Sequence, residues 1–415
     1  MKRLVAVAFA TALALTACGT KGGDSGSSGT DESGVKTGVG VTDADITLGV
    51  MTDKTGVFKN LGLGITQGNE LWVDDVNAAG GICGRQVRLE QVDHGYKADT
   101  AKTLYPQIEP KVLGFVQLLG SPITAALKQN LASDKAVAAP ASWSSELLDN
   151  PYLMIVGTTY DVEMIDGLSY LQEQGMIADG DTVGHIYIDG EYGANGLRGA
   201  KYYAEQHDLD LREVKITSTD NDLTNIVTGF KGDGVKAILL TTSPTQTGSV
   251  LAANKALGLD VPVLGNNPVF DPVLHSSPAA DALDKLYVVA SSVPFSADIP
   301  KAQEVARKYQ ARYTEPPNAG VPYGYAVAEV WGAVLRRACE NKDLTREGVH
   351  AAFQRTSSVD TGDLVAELDF SQPGAPATRK VYVAQPDAAA EGGLKYVKPL
   401  FEAPDAKDYQ APHQK

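Results

Sequence analysis

Two short serine-bearing stretches carry the residues best suited to hold a small ligand. Gly120-Ser121-Pro122 lies where an apolar run gives way to a helical pattern. Ser121 reads as the N-cap of that helix and Pro122 as its first residue. A helix start presents unpaired N–H groups and the positive end of the dipole, which together suit a carboxylate. Ser142 and Ser144 follow the apolar stretch ending at Ala139-Pro140 and offer a second set of hydroxyl and backbone donors. Serine also caps helices with no ligand present, so capping alone is the competing reading of all three, and the two roles can coexist.

Catalytic patterns are weak by comparison. "SGVK" (33–36) and "KTG" (36–38) mimic serine-hydrolase motifs, but they share Lys36 and lie in a Gly/Ser-rich stretch. There is no G-x-S-x-G turn, and the histidines at 94, 185, 207, 275, 350 and 413 lack metal-ligand spacing. "GLGITQG" (62–68) has one residue too many for G-x-G-x-x-G and reads as a loop entering the first helix. No P-loop is present either, so any ATP would be hydrolysed by a partner; on these patterns together no catalysis, cofactor or metal is expected. The formal net charge of −15, with no basic patch, argues against nucleic acid as a partner.

The N-terminus reads as an address. Lys2 and Arg3 precede an apolar run from Leu4 to Ala17, short of the roughly 20 residues that span a bilayer. A basic start, a short apolar core and small residues at its end describe an export signal over 1–17. Leu15-Thr16-Ala17-Cys18 resembles the bacterial lipobox, so Cys18 is the candidate lipidation site; an ordinary signal that happens to contain Cys18 is the alternative. Residues 18–43 read as a Gly/Ser tether, of which 19–40 would reach about 25 Å as a flexible chain. The expected location is extracytoplasmic, on a bacterial cell membrane through the lipid alone. Two cysteines remain, Cys83 and Cys339, either a disulfide or two buried thiols.

After residue 44 strands and helices alternate. Strands are expected at 46–52, 86–93, 112–119, 182–189, 211–217, 235–241, 261–266 and 286–291, with helices between them. Helices at 299–313, 322–341 and 345–355 follow, then strands near 363–369 and 379–384. Such alternation implies an α/β fold with parallel sheets covered on both faces. The chain exceeds what one hydrophobic core holds, so two Rossmann-like lobes are expected, with ligands at the carboxyl ends of their strands.

"ITLGVMTDKTG", "QGNELWVDDVNAAGGICGRQVRL", "LLGSPITAAL", "AAPASWSSELL", "IYIDGEYGANG" and "VPVLGNN" occur in this order. Together they resemble the type I periplasmic binding proteins of branched-chain amino acid ABC transporters, over residues 44 to about 400. The resemblance implies two lobes hinged around a cleft, crossed three times by the chain. It places 44–160 plus 293–360 in the N-terminal lobe and 161–292 plus 361–400 in the C-terminal lobe, leaving 401–415 as a polar tail. The late helices would then bring Cys339 near Cys83. Tyr192 matches the family's cleft tyrosine, Trp143 would sit beside the ligand or in the lobe core, and Phe58 would line the mouth. The implied partners are a small polar ligand and an ABC permease with its ATPase subunits, the protein acting as a monomer; a ligand-sensing receptor ectodomain is the rival reading.

One departure bears on the ligand. Asn267 falls at or near the position where amino-acid binders carry an acid that pairs with the ligand's ammonium. A desolvated ammonium without a counter-charge is costly. Either Asp271 or Glu191 supplies the acid, or the ligand is a neutral amide or an aliphatic or aromatic acid.

Overall fold

The apolar runs of the first part of the chain pair in parallel into a four-stranded sheet, and those of the second part build a seven-stranded one. The computed structural model describes residues 29–31 and 33–414. The signal, Cys18 and the first part of the tether therefore lie outside the described residues.

A short antiparallel pair, β1 (Gly29–Thr30) and β2 (Lys36–Thr37), precedes the first lobe. There β3 (Asp45–Thr52), α1 (Lys59–Ala78), β4 (Gln86–Asp93), α2 (Ala98–Ile108), β5 (Gly114–Leu119), α3 (Ser121–Ser133) and β6 (Ala138–Ala141) succeed one another. The sheet order is β4-β3-β5-β6, and β5 is buried along its whole length, as befits a strand covered on both faces. The second lobe opens with α4 (Tyr160–Glu173). It continues through β7 (Thr182–Ile188), α5 (Glu191–Gln206), β8 (Asp210–Ile216), α6 (Thr224–Asp233), β9 (Ala237–Thr241), α7 (Pro244–Ala256), β10 (Val263–Asn266) and β11 (Leu286–Ala290). The chain then returns to the first lobe as α8 (Pro300–Arg312), α9 (Gly320–Glu340), β12 (Asp343–Leu344) and α10 (Arg346–Gln354). Finally β13 (Val381–Pro386) and β14 (Leu394–Phe401) add antiparallel to the edge of the second sheet, followed by α11 (Pro404–Asp408). This is the two-sheet α/β architecture that the alternation implies.

Four local expectations are corrected by packing. The "GLGITQG" stretch is helix, inside α1, not a loop. A side chain at Gly68 would run into the α9 backbone, 2.7 Å from the amide nitrogen of Tyr325, so glycine there serves close helix approach. Residues 29–43 are not a free tether: Val35 is buried, and the carboxylate of Asp31 accepts a 2.5 Å bond from Arg85, itself 3% exposed. The stretch 363–369 makes only isolated bridges, because Gly362 and Asp363 take positive φ (66° and 63°) and break the extended run. Its Leu364, Val365 and Leu368 pack in the first core, which extends along the chain to Tyr382. The segment read as a polar tail buries Ala403, Ala406, Tyr409 and Ala411 in the second core, and β14 before it is a strand whose weak alternation of burial conceals it in the sequence.

Two features tie these parts together. Cys83 and Cys339 are disulfide-bonded, with Cα atoms 6.1 Å apart, fastening the turn before β4 to the end of α9. At the first crossing Asp161 is fully buried. Its carboxylate accepts from Ser145 (2.5 Å) in the first lobe and from Asn195 (3.2 Å) and Tyr409 (2.9 Å) in the second.

Candidate functional site

The facing sheets bring the carboxyl ends of β3, β4, β5 and β6 opposite those of β7, β9, β10 and β11. Each end contributes a residue to the seam. After β3, the buried Asp53 accepts bonds from the amides of Thr55 (3.1 Å), Gly56 (2.5 Å) and Phe58 (2.9 Å). That loop sets Phe58, which is 5% exposed, just before α1. After β4, the amide of Tyr96 donates to Nδ1 of His94 (3.1 Å), and Tyr96 sits at φ 58°, a strained value for a non-glycine residue. Burial lowers the pKa of His94, which keeps that nitrogen an acceptor.

After β5 the cap differs by one residue from the sequence reading. Gly120, at φ 106°, takes the N-cap position, and Ser121 and Pro122 are the first two helical residues. A Cβ at Gly120 would lie 2.8 Å from the Tyr96 ring, so no other residue fits. The Ser121 hydroxyl is thereby released from capping. It accepts from Ser142 Oγ at 2.7 Å and lines the same cavity as the buried Tyr160. The Trp143 indole N–H donates to the carbonyl of Val156 (3.1 Å) in its own lobe, leaving the ring as a wall.

From the second lobe, Tyr192 at the start of α5 donates to the carbonyl of Thr242 (3.2 Å) and reaches Oδ1 of Asn266 (3.4 Å). Its ring lies 4.7 Å from that of Tyr160 and 6.5 Å from that of Phe58. Phe58 meets Tyr96 at 4.8 Å, and Trp143 meets Tyr323 at 4.9 Å, so an aromatic chain runs across the seam. Burial pushes the phenols of Tyr96, Tyr160 and Tyr192 above their ordinary range, which keeps all three protonated.

These side chains enclose a cavity of about 10 Å³ lined by Phe58, Leu61, Ser121, Trp143, Tyr160, Tyr192 and their neighbours, none of them acidic. Ser142 stands behind Ser121 and does not line it; Ser144 is fully buried without lining it either. Asn267 borders a different cavity, and its amide donates to the carbonyl of Val289 (2.9 Å) and to Oε2 of Glu163 (3.2 Å). Asp271 caps the turn after it by accepting from the amide of Val273 (2.9 Å), and Glu191 opens α5 without lining the aromatic cavity. Sequence reading misses Tyr96, Tyr160 and Tyr323; the first two follow a strand end and a lobe crossing, the signal by which they could have been found.

Glu163 is the other residue missed. It is fully buried at the start of α4. Burial, with Asp166 and Asp161 adding in the same direction, pushes its pKa well above the ordinary 4.5, against the bond that Oε2 accepts from the Asn267 amide. The folded protein thus holds a proton that the unfolded chain releases above pH 4.5, so this stabilising contribution is full in acid and is lost as pH rises. Each unit costs about 1.4 kcal/mol until the folded pKa is reached. Glu163→Gln should therefore flatten the fall in stability between about pH 5 and 8, as read by urea unfolding at several pH values; an unchanged slope would mean the carboxyl is ionised where it lies.

Two α/β lobes with donors and aromatic rings at their facing strand ends define a protein that binds a small molecule in the seam between them. The chain matches the model of the periplasmic binding proteins over residues 45–392 and belongs to that family, in its type I form. Members of the family are extracytoplasmic substrate-binding proteins. A solved structure described as a fatty acid ABC transporter substrate-binding protein from Thermomonospora curvata is 40% identical, with a TM-score of 0.90, covering 92% of this chain and 99% of that one. An amino acid binding protein of Pseudomonas aeruginosa is 25% identical over 72% of this chain and 80% of its own length. A branched-chain amino acid ABC transporter protein from Thermus thermophilus, solved with bound valine, is 18% identical (TM-score 0.77; 88% of this chain, 99% of that one) and shares the fold.

Proposed function

We propose that this protein is the substrate-binding component of an ABC importer and carries a small carboxylate with an apolar body. In this reading lipidated Cys18 anchors it outside the cell membrane, and closure of the lobes on the ligand presents it to the permease. The observation that carries the ligand class is the composition of the aromatic cavity. The Ser121 hydroxyl and the free amides at the start of α3 suit a carboxylate. Rings of Phe58, Trp143, Tyr160 and Tyr192 suit an apolar body, and no lining residue carries a negative charge for an ammonium. The fatty acid description of the Thermomonospora curvata protein supports the same class. None of Asn267, Asp271 and Glu191 lines the aromatic cavity around Ser121, Asn267 and Asp271 lining the adjoining one instead, which weighs against an α-amino acid.

Titration of the mature protein with octanoate and with leucine, followed by tryptophan fluorescence and by calorimetry, tests this. Octanoate is expected to bind and leucine to leave both signals unchanged. Tight binding of leucine with none of octanoate would sink the proposal.

A further inference from the structure

A second cavity, of about 40 Å³, lies beside the aromatic one on the same interlobe seam. Leu61 and Pro268 line both, so the partition between them is two apolar side chains. Leu61 is half-buried in the first turn of α1, free of the constraints of a fully packed core residue. Beyond the partition the walls are Phe270, Val288, Ala290, Tyr382, Ala384 and Leu394.

Most polar groups at the edge are already occupied. The Tyr382 hydroxyl donates to the carbonyl of Asp363 (3.0 Å), which leaves its ring facing the space. Asn318 donates to the carbonyl of Asn60 (2.8 Å) and accepts from the amide of Gly320 (2.8 Å). Asp271 holds its own turn through the amide of Val273 (2.9 Å). A space walled this way gives water few partners and suits hydrocarbon. Both lobes supply it: Leu61, which packs with the first core, and Ala319, at the start of α9, come from the first lobe, whereas Val288, Ala384 and Leu394 pack in a core of the second lobe.

We infer that this second cavity is the tail subsite of an aliphatic carboxylate whose head lies at Ser121, the chain passing between Leu61 and Pro268. This rests on the carboxylate reading above and extends it to a substrate class, the longer straight-chain acids. A tail held by both lobes also couples chain length to closure, since each added methylene buries surface against first-lobe and second-lobe walls together.

The test is a chain-length series of butanoate, hexanoate, octanoate and decanoate, titrated calorimetrically into the mature protein. In the wild type affinity should rise about fourfold per methylene through the series. Ala290→Phe from the second lobe and Ala319→Phe from the first each place a ring in the tail cavity; both positions are partly exposed, so the bulk is tolerable. In either variant the rise should stop at hexanoate, with butanoate bound as in the wild type. If both variants fold by circular dichroism and still gain affinity up to decanoate, the tail lies elsewhere. If the wild type binds butanoate and decanoate equally, the tail subsite fails while the carboxylate site stands. Binding of no acid at any length overturns both.

Discussion

Ser121→Ala should weaken carboxylate binding by about 10- to 100-fold, the loss of one hydrogen bond to a charged group at roughly 1.5–3 kcal/mol. The hydroxyl stands where a side-chain donor lining the aromatic cavity meets the start of α3. A further group depends on it: Ser142 Oγ, 2.7 Å away, loses its acceptor in a fully buried setting. Part of the effect will therefore appear as reduced stability of the apo protein, which thermal unfolding separates from affinity. Ser121→Thr, which keeps the hydroxyl, should recover most of the binding. Equal affinity in wild type and Ser121→Ala would move the carboxylate away from the start of α3.

Loss of the disulfide should have the largest effect on stability. Cys83 and Cys339 are 256 residues apart in the chain, and removing a native cross-link costs about 2–5 kcal/mol. Cys83 sits at φ 53° in a tight turn closed by mutual bonds between Ile82 and Arg85. Arg85 braces the turn from beneath through the carbonyl of Thr42 (2.6 Å) and the carboxylate of Asp31 (2.5 Å). With both cysteines replaced by serine, the turn and the segment 29–43 keep only non-covalent ties: the bonds of Arg85, the burial of Val35 and the pairing of β2 with β12. The expected result is a fall of several degrees in the unfolding temperature, reproduced by reductant in the wild type and absent when reductant is added to the double variant. An unchanged unfolding temperature would show that these ties are brace enough.

Legibility followed distance along the chain. Ser121 can be read because the apolar run before it and Pro122 after it are neighbours in sequence, although the cap falls on Gly120. Tyr96, Tyr160 and Tyr323 cannot be read as a group, since they reach the seam from β4, from the lobe crossing and from α9. Asn267 is recognisable as an uncharged residue at a telling position, yet its side chain borders the neighbouring cavity. Glu163 looks like an ordinary acidic residue in the first turn of a helix, and only its packing buries it and pushes its pKa up.

What the sequence by itself determined is the α/β class, the family and the strand ends at which a ligand would sit. Those follow from periodicity, from caps and from motifs a few residues long, where local sterics and hydrogen bonding decide. The tertiary structure alone decided which side chains share the seam, that residues 29–43 and 403–411 pack against the lobes, and that a second apolar cavity adjoins the aromatic one. Each of these depends on contacts between residues tens to hundreds of positions apart, whose energies are set by mutual burial and leave no periodic trace in either partner's own stretch of chain.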